Sequence, residues 1–233
     1  MKNTKPKVIA FDIFGTVVDW HGSIANEVKK LNLQVDANEF ATAWRKGYQP
    51  AMARVRSGEL PWTKIDDLHR IILNQILHDF GLKTLNESDK NHLNRVWHRL
   101  NPWPDSVQGL TQLKSKFTIV TLSNGNLSLL ANMAKHGSLP WDLILSAEVF
   151  KHYKPDPETY LGVAEIFDLS PHEVMLAAAH KDDLLAAHRC GLQTAFIERP
   201  LEFGHGHVRQ DLNPESFTNY HAKDILDLAA QLT

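Results

Sequence analysis

A run of apolar residues near the start of the chain places the strongest constraint on its fold. Val8 to Phe11 are consecutive apolar residues, and they are followed by Asp12 and a Gly15-Thr16 turn. An apolar run without helical spacing is typical of a strand that is buried on both faces of a parallel sheet. Asp12 then lies at the carboxyl end of that strand, where open α/β sheets bind ligands. We therefore predict that Asp12 is a catalytic carboxylate; the alternative is an aspartate that caps the following turn.

The second half of the chain repeats the strand pattern in alternation with helices. Apolar strands are predicted at residues 117–122, 143–146, 174–179 and 194–197, and helices near residues 127–136, 157–167 and 183–190. Alternation of this kind predicts an α/β fold with a Rossmann-like, doubly wound parallel sheet.

The segment between the first strand and this alternating half has a helical pattern. From residue 21 to 97, apolar residues recur at helical spacing with almost no strand alternation. Two closely spaced prolines in residues 101–104 cannot continue a helix and mark the return of the chain. The pattern predicts a core domain of residues 1–18 and 102–233, with an inserted all-helical cap domain of residues 19–101 over the ligand edge of the sheet.

The composition limits the classes of partner. The 233 residues are 43% hydrophobic and carry a formal net charge of -2, so a sizeable core is possible, and there is no basic excess to attract nucleic acid or an anionic membrane. The single cysteine, Cys190, excludes an intrachain disulfide and fits a reducing compartment. The basic N-terminal residues precede no apolar leader, and no apolar run is long enough to span a membrane. We predict a soluble, cytoplasmic protein that binds a small molecule.

Two further stretches bring polar groups toward the edge of the sheet that carries Asp12. Ser123-Asn124-Gly125 ends a predicted strand just before a helix, so a hydroxyl, an amide and free backbone N–H groups meet there. These groups suit a carboxylate or a departing anion, although an ordinary helix cap has the same residues. Lys154 precedes a rigid Pro-Asp-Pro turn that fixes the direction of its backbone. The alternative is an ordinary surface lysine that is exposed to solvent.

Residues 11–16, Phe-Asp-Ile-Phe-Gly-Thr, resemble the first motif of the haloacid dehalogenase superfamily. Three later motifs follow in order: Leu-Ser-Asn-Gly at residues 122–125, the Lys-Pro pair at Lys154, and an acidic motif that ends at Asp183. In phosphatases of the superfamily, an aspartate at the position of Phe14 protonates an alkoxide leaving group. Halide is a very weak base and leaves without a proton, so Phe14 resembles the L-2-haloacid dehalogenase branch.

The resemblance implies a role for each matching polar residue of the core. Asp12 is the nucleophile, Thr16 orients it, and Lys154 keeps it ionised and stabilises the charge that develops on it. Ser123 binds the substrate carboxylate, and Asn124 helps to hold the halide.

The resemblance also implies which residues surround the substrate. Tyr160 lies near the substrate carboxylate. Arg45 faces the site from the cap as a cation for the halide, although an arginine that extends along the cap surface would have the same sequence pattern. Phe14, Trp44 and Trp62 supply apolar walls.

The acidic motif is where this chain departs most from the superfamily. Ala179 takes the place of the first acid of the usual Gly-Asp-x-x-x-Asp, and together with Phe14 it removes two ligands of a Mg²⁺ site, so we predict no metal and no cofactor. Ala178 and His180 stand where the dehalogenase branch usually carries Ser and Asn. Asp183 would orient a water molecule, while His180 is a hydrogen-bonding partner, a base or a purely structural residue.

The resemblance as a whole implies hydrolytic dehalogenation of short L-2-haloalkanoic acids, with haloacetates and fluoroacetate among the candidates, through an ester on Asp12. It also implies a homodimer. Two alternatives stay open at the level of sequence. One is a Mg²⁺-dependent phosphatase for a small phosphate ester, and the other is a non-catalytic protein that binds a small acid. The sequence leaves the preferred halogen open.

Overall fold

The computed structural model describes residues 5–82 and 85–233; residues 1–4 of the basic N-terminal segment lie outside it. The strands in this part of the chain are β1 (Val8–Phe11), β2 (Val18–Asp19), β3 (Asn101–Pro102), β4 (Thr118–Ser123), β5 (Leu143–Ser146), β6 (Val174–Ala178), β7 (Gln193–Ile197) and β8 (Tyr220–Ala222). The helices before β4 are α1 (Trp20–Lys30), α2 (Ala37–Lys46), α3 (Tyr48–Arg56), α4 (Ile65–Asp79), α5 (Glu87–Asn94) and α6 (Ser106–Lys114). Those after it are α7 (Leu127–Gly137), α8 (Ala147–Phe150), α9 (Pro157–Ile166), α10 (Lys181–Arg189) and α11 (Ile225–Leu232).

Six strands form one parallel sheet in the order β5-β4-β1-β6-β7-β8. β1 lies at its centre, with Ala10 paired to Val120 on one side and to Leu176 on the other. The predicted α/β fold with a parallel sheet is confirmed. The short edge strand β8 was not predicted, because its residues lack the apolar run by which the other strands of this sheet were identified.

The central strand is buried on both faces, as its apolar run predicted. Val8 and Ala10 pack in one apolar cluster, while Ile9 and Phe11 pack in a second cluster that continues into the helices after β2. Because successive side chains of a strand point to opposite faces, β1 contributes to both clusters and is held firmly between them. No helix in residues 5–82 or 85–233 is long and apolar enough to cross a membrane.

Helices α1 to α5 lie between β2 and β3, which pair antiparallel. The chain therefore leaves the core and returns to it side by side. The exit is anchored next to the Gly15-Thr16 turn, because the Trp103 indole Nε1 donates to the Gly15 carbonyl at 3.0 Å and the Ser106 hydroxyl donates to the Val17 carbonyl at 2.7 Å. This helical insertion forms the cap, while the exact domain boundaries stay a prediction.

Candidate active site at the carboxyl edge of the sheet

Asp12 follows β1 at the carboxyl edge of the sheet, and its backbone N–H donates to the Ala177 carbonyl at 3.0 Å. Its Oδ2 accepts hydrogen bonds from Thr16 Oγ1 at 2.8 Å and His180 Nδ1 at 3.1 Å, and its Oδ1 accepts one from Lys154 Nζ at 2.9 Å. Burial raises the pKa of Asp12, but the charges of Lys154 and His180 and their hydrogen bonds outweigh it and hold this pKa well below the ordinary value. Asp12 is therefore an ionised, buried carboxylate that is available as a nucleophile.

The Thr16 hydroxyl has a fixed direction. It accepts a hydrogen bond from the Ala179 backbone N–H at 2.9 Å and donates its own hydrogen to Asp12. The turn that delivers it passes through Gly15 at a φ of +89°, and Arg199 Nε holds the Thr16 carbonyl at 2.8 Å. The structure thus brings Thr16 to Asp12, in agreement with its predicted orienting role.

Lys154 lies between two carboxylates. Its Nζ is 2.9 Å from Asp12 Oδ1 and 2.5 Å from Asp183 Oδ2, and the side chain is buried. Burial lowers the pKa of Lys154, but the two carboxylates raise it above the ordinary value of a lysine. The ammonium therefore stays charged and connects the predicted nucleophile to the predicted water-orienting acid.

Asp183 lies in the first turn of α10 and accepts a hydrogen bond from the Tyr160 hydroxyl at 2.6 Å. Burial raises the pKa of Asp183; the Lys154 ammonium opposes this effect and the Asp12 charge adds to it, so that the pKa lies above the ordinary value. A raised pKa makes Asp183 a stronger base than an exposed aspartate. Tyr160 borders the site, but it donates its hydroxyl hydrogen to Asp183.

His180, which immediately precedes α10, connects Asp12 to a residue that the sequence analysis missed. Its Nε2 lies 2.8 Å from Oε1 of Glu202, a fully buried residue of the loop after β7. Burial lowers the pKa of His180, but the charges of Glu202 and Asp12 and the hydrogen bonds to them raise it to about 10. At neutral pH the ring is therefore an imidazolium that donates both N–H hydrogens. Sequence offered one weak signal for Glu202, namely its place after a predicted strand at the same sheet edge.

A cavity of about 390 Å³ opens above Asp12. The core residues that line it are Asp12, Phe14, Asn124, Lys154, Pro155, Tyr160, His180, Asp182 and Asp183, and the cap residues are Arg45, Tyr48, Gln49 and Arg56. This volume is typical of a small-molecule site. Core and cap therefore enclose the cavity together.

Arg45 faces this cavity from α2, as the sequence predicted. Its guanidinium carbon lies 4.3 Å from the ring centroid of Tyr48, and its Nη1 is buried without a hydrogen-bond partner among the described residues. A buried donor of a charged group is costly when it stays unpaired. Arg45 therefore brings a charged and incompletely paired guanidinium to the lining of the cavity.

The apolar wall of the cavity consists of Phe14 and Tyr48, whose rings meet edge to face at a centroid distance of 6.3 Å. Trp44 and Trp62, which were expected in this wall, are absent from the cavity lining. Trp44 is fully buried in the cap, where its indole Nε1 donates to the His69 carbonyl at 3.0 Å. The ring of Trp62 packs against a core tyrosine outside the cavity. The direction in which each side chain points follows from cap packing, which a sequence pattern does not specify.

Ser123 and Asn124 end β4 beside Asp12 but differ in exposure to the cavity. Ser123 is fully buried, and its Oγ accepts a hydrogen bond from the Gly125 N–H at 3.1 Å. Asn124 lines the cavity, and its carbonyl oxygen accepts a hydrogen bond from the Lys154 backbone N–H at 2.8 Å. Its NH₂ group is therefore free to donate toward Tyr48 and the cavity.

The residues around Asp12 do not fit the Mg²⁺ ion used by phosphatases of this fold. Phe14 and Ala179 lack donor atoms at the two positions noted above, and the Lys154 and His180 cations already occupy positions against the Asp12 carboxylate. Within residues 5–82 and 85–233, no group of three or more His, Cys, Asp or Glu side chains could hold a metal ion.

Comparisons with known proteins identify the family of the chain. A haloacid dehalogenase-like hydrolase family model matches residues 6–191. The (S)-2-haloacid dehalogenase 1 of Pseudomonas sp. (strain CBS-3) is 29% identical over 222 residues, which cover 89% of this chain and 92% of that protein. The crystal structure of an L-2-haloacid dehalogenase is similar with a TM-score of 0.93 and 46% identity, covering 99% of this chain and 100% of the other. That of a defluorinating L-2-haloacid dehalogenase gives a TM-score of 0.92 and 47% identity, covering 97% and 95%.

Proposed function

The chain belongs to the haloacid dehalogenase-like hydrolases, and we propose that it hydrolyses the carbon–halogen bond of short L-2-haloalkanoic acids. One observation carries the proposal: the ionised Asp12 carboxylate and the Arg45 guanidinium line the same small cavity, together with the apolar ring of Phe14. A nucleophile and an anion-binding cation in one cavity suit the displacement of a leaving group that needs no proton. A phosphatase would need an acid at the position of Phe14.

In the first step, Asp12 attacks C2 of the substrate and forms an ester. Among the described contacts, Oδ2 accepts two hydrogen bonds and Oδ1 accepts one, so Oδ1 has the more available lone pair. The new Oδ1–C2 bond forms as the C2–halogen bond breaks, and the halide leaves with the bonding electrons toward Arg45 and Asn124. In-line attack inverts C2, so an L substrate gives a D product.

In the second step, water attacks the Cγ carbon of the ester. Asp183 takes a proton from the water molecule as the Cγ–O bond forms. The bond between Cγ and Oδ1 then breaks, and the departing hydroxy acid takes up the proton that Asp183 held. The water oxygen stays in the Asp12 carboxylate, whose remaining proton passes to solvent, so each turnover releases one halide ion and one proton.

Three parts of the proposal concern the substrate. The cavity of about 390 Å³ suits a short chain. Ser123 stays a predicted carboxylate ligand, and its backbone position at the end of β4 supports this role more than its buried hydroxyl does. The 47% identity to a defluorinating L-2-haloacid dehalogenase supports fluoroacetate as a candidate substrate.

The homodimer and the cytoplasmic location are also proposals. Light scattering of the purified protein would measure whether it is a dimer.

Halide release tests the function directly. We expect wild-type protein with EDTA present to release chloride from L-2-chloropropionate and from chloroacetate, but not from D-2-chloropropionate. Asp12→Asn should release none, and fluoride from fluoroacetate would extend the substrate range. Turnover of phosphate esters with Mg²⁺, and no halide from any acid, would overturn the proposal in favour of a phosphatase. Binding of a haloacid without product would indicate a non-catalytic protein.

A further inference from the structure

A hydrogen-bonded chain runs from Asp12 through His180 to Glu202. We propose that Glu202 holds His180 as an imidazolium that, together with Thr16, stabilises the oxyanion formed when water attacks the Asp12 ester. His180 would then be a catalytic residue of the second step, and Glu202 a positioning residue behind it. The inference rests on the proposed ester mechanism.

The donors of the oxyanion site are in place before the reaction. If Oδ1 of Asp12 forms the ester, Oδ2 becomes the carbonyl oxygen and carries the negative charge when water adds to Cγ. Thr16 Oγ1 lies 2.8 Å and His180 Nδ1 lies 3.1 Å from this Oδ2 atom. Donors held at this distance stabilise a developing charge without having to reorganise.

The environment of Glu202 is built to keep a buried charge. Oε1 accepts hydrogen bonds from His180 Nε2 at 2.8 Å and Trp20 Nε1 at 3.3 Å, and Oε2 accepts one from Arg209 Nη1 at 2.9 Å. A Cβ atom on Gly15 would lie 2.3 Å from Oε1, so the carboxylate fits only against a glycine. A buried charge is tolerated only when it is paired and hydrogen-bonded, and the fully buried Glu202 carboxylate has three such donors.

The charges that face His180 explain why Glu202 matters most in the second step. Asp12 and Glu202 contact the ring directly; Lys154 lies beyond Asp12, and Arg209 and Arg45 act on Glu202. Formation of the ester removes the Asp12 charge. Among the described contacts of the ring, Glu202 is then the remaining carboxylate that keeps the proton on His180.

The same contacts assign the base of the second step. In the free enzyme His180 donates both ring hydrogens, and in the ester its Nε2 still faces the Glu202 carboxylate, which raises the pKa of the ring, so the ring stays protonated and has no lone pair with which to accept a proton from water. Asp183, on the other side of Lys154, has a raised pKa and carboxylate lone pairs. The two acid-base roles therefore belong to different residues, with His180 as the hydrogen-bond donor and Asp183 as the proton acceptor.

Glu202→Gln tests the proposal because it removes the charge and keeps the size. After rapid mixing with L-2-chloropropionate, we expect a stoichiometric burst of chloride, accumulation of the covalent ester by intact-mass spectrometry, and steady-state turnover at least about tenfold slower. His180→Ala, at a partly exposed position, should also accumulate the ester, and it keeps the test valid if the buried substitution impairs folding. Glu198→Gln is the matched control. Glu198 also follows β7, and it accepts a hydrogen bond from a histidine, His221 Nε2, at 2.7 Å, but this histidine does not contact Asp12.

The pH profile of ester hydrolysis separates this role from a structural one. His180 acts in its protonated form. In the free enzyme Glu202 and Asp12 both raise its pKa, and in the ester Glu202 alone does so, so the wild-type rate of hydrolysis should stay level through neutral pH and fall in the alkaline range, below pH 10. Glu202→Gln should move this fall to lower pH by at least one unit. A burst followed by wild-type hydrolysis, an unmoved alkaline limb, or equal slowing of the burst and of hydrolysis would each overturn the inference. The absence of any chloride release by the wild-type protein would instead overturn the proposed function.

Discussion

The acid-base residues on the core side of the cavity and Arg45 on the cap side differ in how completely they are paired. On the core side, Asp12, Lys154 and Asp183 are bound to one another and to neighbouring donors before any substrate arrives. On the cap side, Arg45 Nη1 is buried without a partner among the described residues. The difference indicates that the core is preorganised for bond making, whereas the cap presents an anion site that the substrate completes. Variants on the two sides should therefore fail in different steps.

Asp12→Asn is the largest expected break on the core side. Loss of the nucleophile should lower turnover by at least about 10⁴-fold, because no ester forms. The measurement is chloride release in a single turnover, with far-UV circular dichroism to verify folding. In the wild-type enzyme, repeated turnovers in ¹⁸O-labelled water should place the label in Asp12. Label that appears in the product and never in Asp12 would contradict the ester.

Lys154→Met removes the charge that the two carboxylates share. We expect stability to fall by about 3–5 kcal/mol, since two buried carboxylates lose their partner, and ester formation to slow by at least about 10²-fold. Urea unfolding and the burst rate measure the two effects. The matched control is Lys151→Met, an exposed lysine nearby. If Lys154→Met were as stable as the wild type and the control, Lys154 would not stabilise the two buried carboxylates.

Arg45→Gln breaks the cap side. Because the proposed mechanism directs the leaving halide toward Arg45, chloride release in a single turnover should slow by about 10- to 100-fold, while hydrolysis of the ester once formed stays near the wild-type rate. Arg54→Gln, an exposed cap arginine paired with Glu59 at 2.7 Å, is the control. Rapid-quench kinetics separate the two steps. An ester that accumulates in Arg45→Gln would instead connect Arg45 to the second step.

Tyr48→Phe and Trp44→Phe sharpen the comparison within the cap. Tyr48 lines the cavity, so loss of its hydroxyl should change kcat/KM several-fold with little effect on stability. Trp44 points into the cap and donates to the His69 carbonyl, so its substitution should cost about 1–3 kcal/mol of stability and leave kcat/KM nearly unchanged. Thermal unfolding and steady-state kinetics of both variants measure the contrast. The reverse pattern would restore Trp44 to the substrate wall.

The smallest expected effect is that of mild acid on the first step. Asp12 acts in its ionised form, and its lowered pKa keeps that form populated as the pH falls, whereas an aspartate with the ordinary pKa of 3.8 would be partly protonated at pH 4. The burst rate should therefore be nearly level from pH 8 to pH 4. A decline centred near the ordinary pKa would show that Lys154 and His180 do not hold Asp12 ionised.

Much of the core could be predicted because its signals are local. The apolar run before Asp12 and the strands near residues 143–146 and 194–197 form as expected, since continuous apolar runs suit strands buried on both faces. Because the carboxyl ends of parallel strands meet at one edge of the sheet, residues that are far apart in sequence, such as Asp12 and Lys154, come together there. The helical pattern of the cap was also local. Helix breaks were less visible: Phe40, Trp44 and Tyr48 have the spacing of one helical face, yet α2 ends at Lys46 and α3 begins at Tyr48.

Local sequence patterns were sufficient to predict the fold class, the family and the residues that contact Asp12, because strand periodicity and short motifs are properties of neighbouring residues. The partner of His180, and with it the charge of that ring, became visible only in the folded arrangement. Glu202 lies 22 residues further along the chain, in a loop whose path depends on Gly15 and Arg209. The protonation of a buried group depends on which charges surround it in space. The packing of the cap likewise determines that the Trp44 side chain is buried within the cap and that Arg45 lines the cavity.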